Sequence, residues 1–195
     1  LRTMALGFAV AFPVCVAVGL VMGRVRVLWA LMEPTVEILR LTPQTAILPI
    51  FILFLGLGDS MKIAIYLTTI VFPMIMTSYA GARSVSKVLS ETAATYRLGW
   101  WATQREIALP AAVPFVLVGV RQALGSALVI AVVVGMLAGN DGIGYYILFQ
   151  QQAFNIPALL AGVATTAFVG YVINAVFLLL ERRFTRWRRT DRDSW

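Results

Sequence analysis

Five stretches of this sequence, approximately Thr3–Met22, Thr42–Leu57, Ile63–Ala80, Ala111–Leu137 and Pro157–Leu180, are almost continuously apolar. About 20 such residues in a helix cross the ~30 Å of hydrocarbon in a bilayer, and each stretch meets or nearly meets that length. The expected fold is therefore all-α, a polytopic transmembrane bundle of about five spans. Composition agrees, because 60% hydrophobic and 13% charged residues make a chain of 195 residues too apolar to hide its surplus internally. Lipid must cover the rest. No low-complexity tract or internal repeat divides the sequence, so residues 1–195 read as one transmembrane domain.

The connections carry unequal charge. Arg24, Arg26 and Arg40 follow the first stretch, and Arg83, Lys87, Arg97 and Arg105 follow the third, whereas the alternate connections hold only Lys62 as a base. By the positive-inside bias, segments 24–41, 81–109 and 181–195 are expected in the cytoplasm, with 58–62 and 139–156 outside. The protein is thus read as multi-pass in a bacterial inner membrane with a cytoplasmic C-terminus. The net charge of +7 would suggest nucleic acid in a soluble protein. Six of the sixteen bases, however, are Arg182, Arg183, Arg186, Arg188, Arg189 and Arg192, directly after an apolar stretch, so a basic cytoplasmic tail at 181–195 is the reading and no nucleic acid is expected.

The second stretch is interrupted by Pro43 and Pro49, which predicts a short, kinked or partly re-entrant helix. The first, from Leu1 to Gly23, is long for a signal peptide and more spans follow, so it reads as a mature span of a trimmed chain.

Several chemistries are excluded outright. With no histidine and one cysteine, Cys15, the chain offers no disulfide scaffold, zinc site or histidine catalysis, and neither catalytic nor metal-ligating residues are assigned. No G-x-x-x-x-G-K-[ST] occurs, so any ATP with its Mg must sit on a separate subunit, and this chain is expected to bind no cofactor.

Between the third and fourth stretches, residues 84–110 read as an amphipathic helix, a turn, and a second short helix ending at Pro110. Val88, Leu89, Ala93, Tyr96 and Leu98 supply apolar contacts, and Lys87, Glu91 and Arg97 supply charge. Glu91, Thr92 and Ala93, followed by Ile107, Leu109 and Pro110, resemble the E-A-A…I-x-L-P motif in the cytoplasmic loop of permease subunits of ABC importers. The family places glycine six residues after the glutamate. Here that position is Arg97, and the nearest glycine is Gly99. Glycine accommodates positive φ and arginine resists it, so either the turn has moved to Gly99 or the loop bends differently.

The resemblance extends to RLTPQTAILPIFILFLGLG at 40–58, GVRQALG at 119–125 and NDGIGY at 140–145, and is nearest to the nitrate, sulfonate and taurine permeases of type I fold. It implies a loop that docks on a cytoplasmic ATPase, with Glu91 as contact or cap and Trp100 and Trp101 as anchors. It also implies an external solute-binding protein, a second permease copy, alternating access, and one further helix before this sequence begins. The other reading of the loop is an interfacial amphipathic helix with its tryptophans among the headgroups.

Arg121 falls about ten residues into the fourth stretch, where an unpartnered guanidinium costs at least ~2.5 kcal/mol. It lines a path for an anionic solute, or it bonds helix carbonyls or another subunit. Asn140, Asp141 and Gly142 form an external turn suited to a gate or a binding-protein contact. Asn174 is a polar point in the last stretch, for helix packing or for the pathway. Gly19 with Gly23, and Gly135 with Gly139, have the spacing that lets helices approach closely. An ion-coupled carrier or channel is the alternative function, but it would place ionisable groups in several spans, and only Arg121 qualifies.

Overall fold

A computed structural model of the protein describes residues 2–184. The tail arginines Arg186, Arg188, Arg189 and Arg192 lie outside the described residues. The chain runs as α1 (Arg2–Arg24), α2 (Arg26–Leu41), α3 (Gln44–Leu55), α4 (Asp59–Arg83), α5 (Lys87–Thr95), α6 (Trp100–Thr103), a π-helical turn (Gln104–Ala108), α7 (Leu109–Ala138), α8 (Gly142–Gln152) and α9 (Ile156–Phe184). Among the described residues no strand occurs. Four helical runs have the length and apolarity to cross a membrane, and α2 with α3 makes a fifth if that bent pair counts as one.

The bend has a local cause. Pro43 disfavours the helical region for the residue before it, and Thr42 accordingly lies extended at φ −70°, ψ 125°. Its backbone N–H and its Oγ1 both donate to the Ile38 carbonyl, which closes α2, and α3 departs at 92°. At 12 residues α3 measures about 18 Å, well short of the hydrocarbon thickness. The expectation of a short second span holds. The helical character of residues 26–41, read from the sequence only as a connection, does not show there because Pro34 interrupts the segment and charges dot it.

The centre of the bundle is α4, which is packed between two neighbours. On one side α1 runs parallel to it, with Gly7 beside Tyr66, Gly19 beside Ser78 and Gly23 beside Ala82. A Cβ on Gly19 would come within 2.6 Å of both the Ile75 carbonyl and the Ser78 Cβ, so backbone contact is possible only because the side chain is missing. On the other side α7 runs antiparallel, with Gly119 against Thr77 and Gly81 against Ala112 and Phe115. Met61, Ile65, Ile70, Met74, Ala123, Ala127 and Val134 fill the core between them.

Of the other glycine pair, only Gly135 serves close approach. It meets Gly144 of α8, whereas Gly139 ends α7 in extended backbone. At the outer edge, α9 starts with Asn155, whose Oδ1 accepts from the Ala158 N–H, and with Pro157 in the first turn, where a missing N–H costs nothing. Phe168, Tyr171 and Leu179 of α9 remain exposed, a surface that water cannot cover cheaply.

These contacts sort the connections into two ends. Arg24, Arg83 and the whole loop 84–108 gather at one, and Lys62 meets Asp141 at the other, at 3.8 Å. Packing thus groups Arg24 with the loop 84–108 and Lys62 with Asp141, as the charge pattern does for these connections.

Candidate functional site

The loop between α4 and α7 is built by capping. Ser84 closes α4 by donating from Oγ to the Gly81 carbonyl, and also reaches the Ala111 carbonyl at 3.3 Å, which ties the base of the loop to α7. Ser86 then caps α5, its Oγ accepting from the Leu89 N–H at 3.2 Å. Thr92 and Thr95 donate back to the carbonyls of Val88 and Glu91. Ala93 is buried; Glu91 and Thr92 are exposed.

The turn after α5 settles where the positive φ lies. Arg97 has φ +53°, and the Leu98 N–H donates to the Ala93 carbonyl at 3.0 Å. With Tyr96 as C-cap, this is the six-to-one bond that closes a helix through a left-handed residue. The turn stays at the position the family gives to glycine, and arginine occupies it. Gly99 is not in the left-handed region; its carbonyl accepts from the Thr103 N–H and opens α6 at Trp100.

The second helix of the loop does not end at Pro110, as the sequence suggested. The helical run continues from Trp101 to Ala138, 38 residues, through the π-helical turn. Pro110 has no N–H for the Glu106 carbonyl and its ring would crowd it, so the helix widens over Gln104–Ala108 and resumes at Leu109. Ile107 and Pro110, with Ser84, Leu89, Glu106 and Phe115, line a groove of about 390 Å³ between α5 and the start of α7. Leu109 is exposed beside it. Val88, Leu98, Tyr96 (76% exposed) and Trp101 (80% exposed) give the loop a largely apolar outer surface.

The candidate pathway residues fall into two groups. Arg121 and Asn174 line one small cavity of about 80 Å³ between α7 and α9, and Arg121 Nη1 lies 3.9 Å from Glu181 Oε2. Arg121 lies two residues beyond Gly119, which packs against Thr77 of α4, and its side chain is about half exposed. Glu181, some 60 residues away in sequence, was not legible as its partner.

Asn140, Asp141 and Gly142 lie together at the opposite end, where Asp141 pairs with Lys62 and Gly142 takes φ +87° at the start of α8. This turn and the Arg121 group are not brought together. The external segment, read as a turn, also holds the whole of α8.

Comparison with known proteins follows the same lines. The family described as "binding-protein-dependent transport system inner membrane component" matches residues 15–190. A probable ABC transporter permease of Brucella abortus is 30% identical over 96% of this chain and 75% of its own length. The putative aliphatic sulfonates transport permease of Bacillus subtilis is 30% identical over 95% of this chain and 67% of its own. The nitrate import permease of Synechocystis sp. is 27% identical over 93% of this chain and 66% of its own. The chain belongs to the binding-protein-dependent inner-membrane components, the type I permeases of ABC importers, in the branch that includes the sulfonate and nitrate permeases.

Proposed function

We propose that this permease forms half of a homodimeric solute pathway that works by alternating access, and that the loop 84–110 couples it to a cytoplasmic ATPase holding ATP and Mg. The observation that carries this reading is the helix–turn–helix at one end of the bundle, exposed at Tyr96 and Trp101 yet anchored at its base by Ser84 and continuous with α7 through the π-helical turn. A surface of that kind moves a span when its partner moves, because the run from Trp101 to Ala138 has no hinge of loop residues to absorb the displacement.

The end that carries the loop is read as cytoplasmic, with the C-terminus on the same side, and the Asp141 turn as facing an external solute-binding protein. The named relatives transport aliphatic sulfonates and nitrate. A small anionic solute such as a sulfonate, taurine or nitrate is accordingly the proposed cargo, with Arg121 and Asn174 near its inner exit.

The test is Glu91→Ala, with deletion of residues 90–104 as the stronger perturbation, scored by co-purification of the ATPase and by solute uptake in vesicles. Expected is loss of both. Undiminished ATPase association and uptake in the deletion would refute the coupling role.

A further inference from the structure

Where α1 and α4 end, they enclose with α2 a cavity of about 540 Å³ that includes none of the loop or pathway residues discussed above. Its wall carries three guanidiniums, Arg24, Arg26 and Arg83, against the one carboxylate of Glu33, a surplus of two positive charges (3 − 1). Among the described residues none of the three arginines is within ion-pairing distance of a carboxylate. Trp29 stacks on Tyr79, centroids 3.7 Å apart and planes 16° from parallel. Arg83 Nη1 donates to the Tyr79 hydroxyl oxygen at 2.6 Å and its guanidinium carbon lies 5.6 Å from the ring centroid. That bond uses a lone pair of the phenol and leaves its O–H available to donate.

The depth of this cavity follows from helix length. The 25 residues of α4 measure about 37 Å, so Arg83, its last residue, stands where ~30 Å of hydrocarbon has ended. Gly23 packs beside Tyr79 and Ala82, which holds Arg24 at the same level. Tryptophan and tyrosine rings favour that layer, and guanidiniums bind phosphate oxygens in bidentate fashion there.

We propose that this cavity binds the phosphate of an anionic phospholipid headgroup, with Arg24, Arg26 and Arg83 as its ligands and the Trp29–Tyr79 stack as its floor. A zwitterionic headgroup offers the same phosphate but brings an ammonium that the surplus charge repels. The proposal rests only on α1 and α4 as spans, and its readout is lipid retention rather than transport, so it stands or falls separately from the coupling role.

The experiment uses the full-length permease in its assembled transporter, reconstituted in nanodiscs of mixed phosphatidylcholine and phosphatidylglycerol, with retained lipid counted by native mass spectrometry. The wild type is expected to keep phosphatidylglycerol above its bulk fraction. Each basic residue near a membrane surface contributes about fivefold in affinity, so Arg24→Gln/Arg26→Gln/Arg83→Gln should weaken retention about 100-fold. Arg40→Gln/Arg182→Gln/Arg183→Gln removes the same charge elsewhere and should retain it. Equal loss in that control would overturn the site in favour of diffuse attraction. Competition by millimolar inorganic phosphate as effective as by the lipid would overturn the headgroup assignment. Should the triple variant fail to assemble, absence of enrichment on the wild type alone still sinks the proposal.

Discussion

Replacing Arg97 by glycine should tighten the loop, and the size of the effect can be worked from its backbone. A non-glycine residue in the left-handed region costs about 1–2 kcal/mol through the clash of Cβ with the carbonyl that follows. Arg97, at φ +53°, carries that cost. Glycine removes it and returns about 0.5–1 kcal/mol to the unfolded chain as entropy, which leaves a net gain of about 0.5–1 kcal/mol. The most direct reporter is the Leu98 amide, whose bond to the Ala93 carbonyl exists only while the left-handed turn is closed. In Arg97→Gly its hydrogen exchange should slow by about two- to fivefold. In Arg97→Val, which puts a β-branched side chain where φ must be positive, it should accelerate by at least as much. Gly99→Ala is the decisive companion: Gly99 is outside the left-handed region and an added Cβ would meet nothing within 4 Å, so exchange should not change. If Gly99→Ala opens the loop while Arg97→Gly leaves it untouched, the turn lies at Gly99 and this reasoning fails.

Three further outcomes are expected from the packing. Gly19→Leu forces a side chain into the Ile75 carbonyl and Ser78 and should lower stability by about 1–3 kcal/mol or more, measured by reversible unfolding in mixed micelles; an unchanged midpoint would mean that α1 and α4 do not touch there. Ser78 is fully buried and its Oγ has no hydrogen-bond partner, so Ser78→Ala should be neutral or stabilising by up to about 1 kcal/mol in the same assay, and a clear loss would reveal a missed partner. For Arg121 and Glu181, a double-mutant cycle with alanine should give a coupling of about 0–1 kcal/mol, because the pair is long at 3.9 Å and Arg121 is 47% exposed; a coupling well above that would mean a drier, closer pair.

Much of the fold could be read in advance because bilayer thickness imposes a length on each span and that length is a local sum. The predicted Pro157–Leu180 and Ala111–Leu137 lie within the observed α9 and α7, and Thr3–Met22 within α1. Pro43 announced the break before α3 for an equally local reason, the exclusion of helical ψ at Thr42. The candidate site was legible in part. A first helix, a turn and the start of a second helix in 84–110 match the structure, but the residue that makes the turn was left open between Arg97 and Gly99, and the continuation of the second helix through the π-helical turn was not foreseen. Whether a proline ends a helix or is absorbed depends on what holds the two sides in line, and here Ser84 bonded to Ala111 belongs to a different helix end.

The sequence by itself determined the membrane as the solvent, the apolar stretches long enough to span it, and the loop as the place to look. Hydrophobicity, charge bias and proline chemistry act on neighbours in the chain, and need no knowledge of distant residues. Only the tertiary structure decided that Gly19 and Gly23 face Ser78 and Ala82, that Arg121 meets Glu181, and that Arg97 rather than Gly99 carries the left-handed turn. The first two depend on which helix faces are brought together by residues far apart in sequence. The last depends on one closing hydrogen bond, Leu98 to Ala93, whose register is fixed by where α5 begins at its Ser86 cap and ends at Tyr96.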